Sequence, residues 1–197
     1  MLEARDITFG YSVDEPIYAG FSFAVEPGER VALVAPSGFG KTTLCRMLAG
    51  FERPTLGEVL CDGEPLPAKG VCPVQLIGQH PELAVDPRLR MGKTLAEAGD
   101  VQPELLEALG IRDEWLSRFP HELSGGELQR FCIARAVATR PKYLIADEIS
   151  TMLDALTQAQ IWRFLLDWQA ESGAGMVLVS HSPALVDHLA TRVVNLA

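Results

Sequence analysis

Short apolar runs alternate with helical spacings along this chain. From Leu2 to Phe23, β-rich pieces (ITFGY, FSFAV) are broken at Asp14, Pro16 and Gly20, while Phe21, Phe23 and Val25 recur at every second position. That period predicts antiparallel strands with one buried face. Pro27-Gly28 marks a tight turn. VALVA, Val31 to Ala35, follows as a continuous apolar run of strand length. Such runs belong to parallel strands buried on both faces. YLIA (Tyr143 to Ala146) and MVLV (Met176 to Val179) have the same character, and VVNL near the C-terminus is a further candidate. Between these strands, Leu44, Met47, Leu48 and Phe51 fall on one face of a helix starting near Lys41. Ile161, Leu165 and Trp168 repeat the spacing in a second helix, expected to stop near Gly173. The alternation predicts an α/β fold: a mainly parallel core sheet with an N-terminal antiparallel β subdomain. Pro81, Pro87 and Pro103 punctuate a different region, where PELLEALG is helical. With a helical run over Glu127 to Ala138, this reads as a helical insertion, about 81–135, inside one domain spanning 1–197.

Composition narrows the partners. The chain has 197 residues, 48% of them apolar and 22% charged, a balance that buries a core. Lys plus Arg number 17 against 26 Asp plus Glu, a net charge of −9, and there is no basic run. This excludes the electrostatic footprint of a duplex-DNA binder and of a polybasic lipid anchor. No nucleic-acid partner is expected, and any membrane attachment has to come through a protein. MLEARDITF has no apolar core behind a basic start, so it does not read as a signal peptide. The apolar runs are too short to span a bilayer, so direct membrane insertion is not expected. Cys45, Cys61, Cys72 and Cys132 are scattered without a CxxC pair and read as reduced, cytosolic thiols.

The chemistry begins after VALVA. PSGFGKTT (Pro36, Ser37, Gly38, Phe39, Gly40, Lys41, Thr42, Thr43) leads into the first helix, and counted from Ala35 it reads A-x-x-x-x-G-K-T. Gly38 and Gly40 let backbone N–H groups turn toward an anion. The helix start adds its dipole and free donors. Lys41 brings a full positive charge, and Thr42 a hydroxyl suited to Mg²⁺. Glycine is commoner where Ala35 stands. In YLIADE, Asp147 and Glu148 end a buried strand, the edge where α/β sheets bind ligands. Asp147 is placed to hold Mg²⁺ through water. Glu148, one residue on, is expected to point the opposite way from the pleat and to polarise a water. These pieces define a P-loop NTPase, a class that includes small-molecule kinases, GTPases and motor ATPases. A GTPase is disfavoured because no N-K-x-D guanine-reading sequence is present.

LSGGELQR, Leu123 to Arg130, resembles the signature motif of ABC-type ATPases, and the remaining motifs follow that family's order across nearly the whole chain. Gln79 in LIGQHP resembles the Q-loop glutamine. Tyr11, thirty positions before Lys41, stands where the family has its adenine-stacking aromatic. STMLD, Ser150 to Asp154, resembles the D-loop, and His181 in VLVSHSP the switch histidine. The resemblance implies a helical signature subdomain, ATP and Mg²⁺ as ligands, and hydrolysis of ATP to ADP and phosphate. Lys41 and the loop amides would neutralise the phosphates. Thr42, Gln79 and Asp147 would hold the metal, Glu148 would activate water, and His181 would contact the γ-phosphate. Ser124, Gly125 and Gly126 start another helix able to meet an anion. In ABC ATPases that device faces the nucleotide of a partner in a head-to-tail dimer, with Asp154 at the contact. A second ATP-binding subunit, identical or related, is therefore implied.

The resemblance also implies transmembrane permease subunits, docked near the insertion that Gln79 enters, and a cytoplasmic position on the inner face of the cell membrane. DEISTMLDALTQAQIW is similar to ATPases of peptide and nickel importers. Those usually carry an extension past the switch histidine, whereas sixteen residues follow His181 here. Two other readings stay open. One is a soluble, non-transport ABC ATPase, disfavoured because neither a long coiled coil nor two cassettes fit in 197 residues. The other is a regulatory nucleotide-binding module, against which Glu148 and His181 speak.

Overall fold

The computed structural model describes residues 1–12 and 15–196; Asp14, the expected breaker, lies outside them. Its strands are β1 (Leu2–Phe9), β2 (Tyr18–Val25), β3 (Arg30–Val34), β4 (Leu56–Cys61), β5 (Glu64–Pro65), β6 (Val74–Ile77), β7 (Tyr143–Asp147), β8 (Gly175–Val179) and β9 (Arg192–Asn195). The α-helices are α1 (Lys41–Leu48), α2 (Met91–Ala96), α3 (Pro103–Ala108), α4 (Gly125–Ala138), α5 (Ala155–Ser172) and α6 (Pro183–Leu189).

The chain packs as two compact units. The first, Met1–Leu76, Lys142–Asp147 and Gly173–Ala197, carries both sheets. One sheet has the order β2-β1-β4-β5, with β1 antiparallel to β2 and to β4. Gly57 is required there. Its φ is +80°, and a Cβ would lie 2.3 Å from the Arg5 carbonyl, beside the register shift between Arg5 and Thr8. The other sheet has the order β6-β7-β8-β3-β9, and β7/β8, β8/β3 and β3/β9 are parallel. Every residue of β7 and β8 is buried, as are Val31, Ala32 and Leu33, so the continuous apolar runs are strands covered on both faces. β9 is the edge strand, tied by Arg192 to the Glu29 carboxylate and the Ala24 carbonyl.

Helix α1 packs Leu44, Cys45, Met47 and Leu48 into the first unit's core with Val31, Leu33, Ile145 and Val179. Full burial of one such aliphatic side chain stabilises by roughly 1.5–3 kcal/mol. Phe51 does not join that face as its spacing predicted; it is 64% exposed. The helix stops first. Gly50 takes φ +78°, its N–H donates to the Met47 carbonyl and that of Phe51 to the Arg46 carbonyl, a Schellman end. Strands β4, β5 and β6 had no counterpart in the sequence reading: β4 is exposed over its first three residues and β5 has only two.

The second unit, Ile77–Pro141 and Glu148–Ser172, contains α2, α3, α4 and α5 with 3-10 turns at Pro81–Leu83, Asp113–Ser117 and Pro120–Glu122. Pro81 and Pro103 open their turns at the first helical position, where a missing N–H costs nothing. α5 buries Ile161 and Leu165 and half-buries Trp168, and Gly173 at φ +67° follows its end, as the periodicity predicted. Among the described residues no helix is long and apolar enough to cross a membrane. The four cysteines are free thiols.

Candidate functional site

The phosphate loop joins β3 to α1. Gly38 takes φ +80°, and a Cβ there would meet nothing within 4 Å, so its backbone borders open space. Gly40, at φ +86°, is the N-cap of α1, which has no side-chain cap and no acidic residue in its first turn. The first-turn N–H groups thus keep the donor capacity that an anion uses. Lys41 is only 6% exposed, and its Nζ donates to the carbonyls of Ala35 (2.8 Å) and Pro36 (3.0 Å). Ala35 is not among the positive-φ residues, so the departure from glycine strains nothing.

Sequence reasoning missed the residue that braces this loop. The buried Tyr18 hydroxyl donates to the Gly40 carbonyl at 3.0 Å. A Cβ on Gly40 would lie 2.4 Å from Ile17 Cγ2 and 3.2 Å from the Tyr18 ring. The available signal was a tyrosine at a core-facing strand position, whose buried hydroxyl must find an acceptor.

Parallel register levels the neighbouring site residues. Leu33 lies opposite Val179, and Val179 opposite Asp147, so the carboxyl ends of β3, β8 and β7 are even. Asp147 is buried at that edge. Burial first, and then the Asp147 charge, push the Cys45 thiol of α1 well above its ordinary range. His181 is exposed in the turn between β8 and α6, and Ser182 caps that helix by accepting from the Leu185 N–H. Tyr11 is 71% exposed rather than a core residue. Its hydroxyl lies 3.4 Å from Thr43 Oγ1, and its ring stands edge-on to Phe9 with centroids 5.2 Å apart. Tyr11, the loop 36–43, Asp147 and His181 therefore all belong to the first unit.

Gln79, Glu148 and Ser124 to Gly126 belong to the second. Gln79 is half-buried just before the Pro81–Leu83 turn. Glu148 does not continue the pleat of β7, so alternation does not set its direction. The strand ends at Asp147, and Glu148 takes φ +53°. A left-handed non-glycine backbone costs on the order of 1–3 kcal/mol and is concentrated at functional sites. Ser124 caps α4 in a reciprocal box: its Oγ accepts from the Glu127 N–H at 3.3 Å, and Glu127 Oε2 accepts from the Ser124 N–H at 2.8 Å. Gly125 has open space where a Cβ would stand. Asp154, the D-loop residue, caps α5: Oδ1 accepts from the Leu156 and Thr157 N–H groups, and Oδ2 from the Thr157 hydroxyl.

A glycine loop leaving a buried parallel strand to head an amphipathic helix, with an acid on the next strand but one, is the fold of a P-loop NTPase. The chain belongs to the ABC transporter family, whose model matches residues 18–151. It is 33% identical to the di/tripeptide transport ATP-binding protein DppF of Pseudomonas aeruginosa, over 98% of this chain and 68% of DppF. It is 39% identical to the glutathione import ATP-binding protein GsiA of Salmonella typhimurium, over 87% of this chain and 31% of GsiA. Among solved structures it resembles an ATP binding subunit of an ABC transporter, with a TM-score of 0.85 and 27% identity over 99% of this chain and 85% of that one. The chain thus spans between 31% and 68% of the length of the curated relatives it matches.

Proposed function

We propose that this chain is an ATP-hydrolysing subunit that energises import of a short peptide through membrane permease subunits, and that two such subunits join to complete the nucleotide sites. The observation that carries the reading is the open phosphate loop at a sheet edge level with Asp147. The cargo follows the names of DppF and GsiA, and those names favour a transporter over a soluble ATPase. The subunit lies on the cytoplasmic face of the membrane, held there by its permease.

The chemistry divides by residue. Tyr11, exposed beside Thr43, stacks on the adenine; such stacking is worth about 1–3 kcal/mol. Lys41 exchanges its two carbonyl acceptors for β- and γ-phosphate oxygens, a stronger charge-assisted bond. Gly38, Phe39 and Gly40 turn backbone donors to the same oxygens. Thr42, Gln79 and Asp147 fit a hard cation, since all three offer oxygen. Mg²⁺ bound there supplies charge neutralisation on the β- and γ-phosphates. Glu148 accepts a proton from the attacking water, and His181 steadies the γ-phosphate. Ser124, Gly125 and Gly126 close the site of the second subunit.

Glu148→Gln tests the catalytic assignment. ATP binding should persist while turnover falls by roughly 10²–10⁴-fold, the usual worth of a general base. Calorimetry and steady-state phosphate release read the two quantities, and turnover close to wild type would remove Glu148 from the mechanism. Co-purification of the chain with a polytopic membrane protein tests the transport role.

A further inference from the structure

One face of α4 carries a ladder of donors. Gln129 Nε2 donates to the Gly78 carbonyl at 3.3 Å, the Cys132 thiol to the Pro81 carbonyl at 3.7 Å, and the Arg135 guanidinium to the Ala84 carbonyl. The donors stand three residues apart, as do the acceptors, and each pair is separated by 51 residues. The segment from Gly78 to Ala84 is therefore strung along α4 in one register, with Gln79 between the first two rungs. Burial lifts the Cys132 thiol to about 11, so its proton stays on sulfur to be donated.

The first rung is a poor choice for stability alone. Gln129 is 1% exposed, and its Oε1 has no hydrogen-bond partner among the described residues. A buried amide satisfied on one side only is costly, and an apolar side chain of similar volume would fill the same space. What the amide adds is a directional hold on the residue preceding Gln79. Ser124, the cap residue, stands five positions before Gln129 at the start of the same helix.

We propose that Gln129 is a positioning residue, acting through Gln79, and that the ladder makes α4 and the Gln79 segment one mechanical body, so that engagement of Ser124 by a second subunit is delivered to Gln79. This rests on the role proposed for Gln79.

The test uses the full chain and Gln129→Leu, which keeps the volume and removes the donor. Backbone amides from Gln79 to Ala84, Pro81 having none, should exchange with deuterium roughly tenfold faster, while those in the middle of α4 keep their protection. Turnover should fall by roughly 10–100-fold, the effect of a small misplacement, with KM for ATP within about twofold of wild type. In a Gln79→Ala background, Gln129→Leu should cost nothing more, because both act through one group. Unchanged exchange at 79–84, or losses that multiply in the double variant, would overturn the proposal. If Gln79→Ala alone leaves turnover intact, the role given to Gln79 fails, and faster exchange at 79–84 still upholds the ladder. Should Gln129→Leu not fold, Cys132→Ser and Cys132→Ala replace it. The serine keeps a donor, so only the alanine should speed exchange, and equal exchange in the two sinks the ladder.

Discussion

Two helices in this chain start from a serine and glycines, and they begin differently. α1 starts at a left-handed Gly40 with no side-chain cap and no acid in its first turn. α4 starts behind Ser124, with Glu127 folded back on the Ser124 N–H and hydroxyl. The first start is electropositive and keeps its donors for a ligand. The second already holds a carboxylate within its own first turn, so an anion approaching it gains less from the helix dipole. Similar glycine-rich sequences thus make an anion trap in one case and a self-capped helix in the other. A single chain should bind nucleotide at α1 only, and α4 should contribute to a site that another subunit has largely neutralised.

The largest expected effect breaks that contrast directly. Lys41→Ala should weaken ATP binding by roughly 100-fold or more, since hydrogen bonds from a cation to phosphate are the strong ones. Glu127→Ala should leave ATP affinity of the single chain unchanged in the same calorimetric titration. It should instead lower the urea midpoint, as loss of a cap costs roughly 0.5–2 kcal/mol. Equal effects of the two substitutions on affinity would mean that both helix starts bind the ligand.

The glycines sharpen the same contrast at smaller scale. Gly40→Ala must bear φ +86° and a Cβ 2.4 Å from Ile17 Cγ2. It should destabilise by roughly 1–3 kcal/mol and loosen the loop. Gly125 is not at positive φ and has nothing within 4 Å of an added Cβ. Gly125→Ala should therefore be neutral or stabilising by up to about 1 kcal/mol, through helix propensity. If its midpoint rises while turnover falls, the bare backbone at Gly125 serves close approach of a ligand and not the fold. A destabilised Gly125→Ala would show that the fold itself needs the glycine.

What the sequence made legible was local. PSGFGKTT must be contiguous to wrap a phosphate, and VALVA, YLIA and MVLV are apolar because both faces of their strands are covered. Residues acting over distance were not legible. Tyr18 braces Gly40 across 22 positions, and Gln129 reaches Gly78 across 51. No period or motif records such pairs. Phe51 fitted the helical period but not the helix, because periodicity does not register the left-handed Gly50 that ends it. Glu148 was found by its place after Asp147, while its direction depends on a backbone angle that strand alternation cannot supply.

A third helix start gives the smallest predicted effect and separates capping from charge. Asp154 heads α5 with a titratable cap. The Thr157 N–H first, then the Thr157 hydroxyl, hold its carboxyl below the ordinary 3.8. The folded-state pKa is thus depressed, so the contribution is complete above that ordinary value and is lost as pH falls through the lower folded one. Asn caps nearly as well but carries no charge. Asp154→Asn should be slightly less stable than wild type at neutral pH, and the two urea midpoints should converge as the pH is lowered well below the ordinary 3.8. Acid-induced losses at Asp62 and Glu29, whose carboxyls are also held low by Lys142 and Arg192, occur equally in both proteins and cancel in the difference. A gap that stays constant with pH would mean that α5, like α4, is held by cap geometry rather than by the charge of its acid.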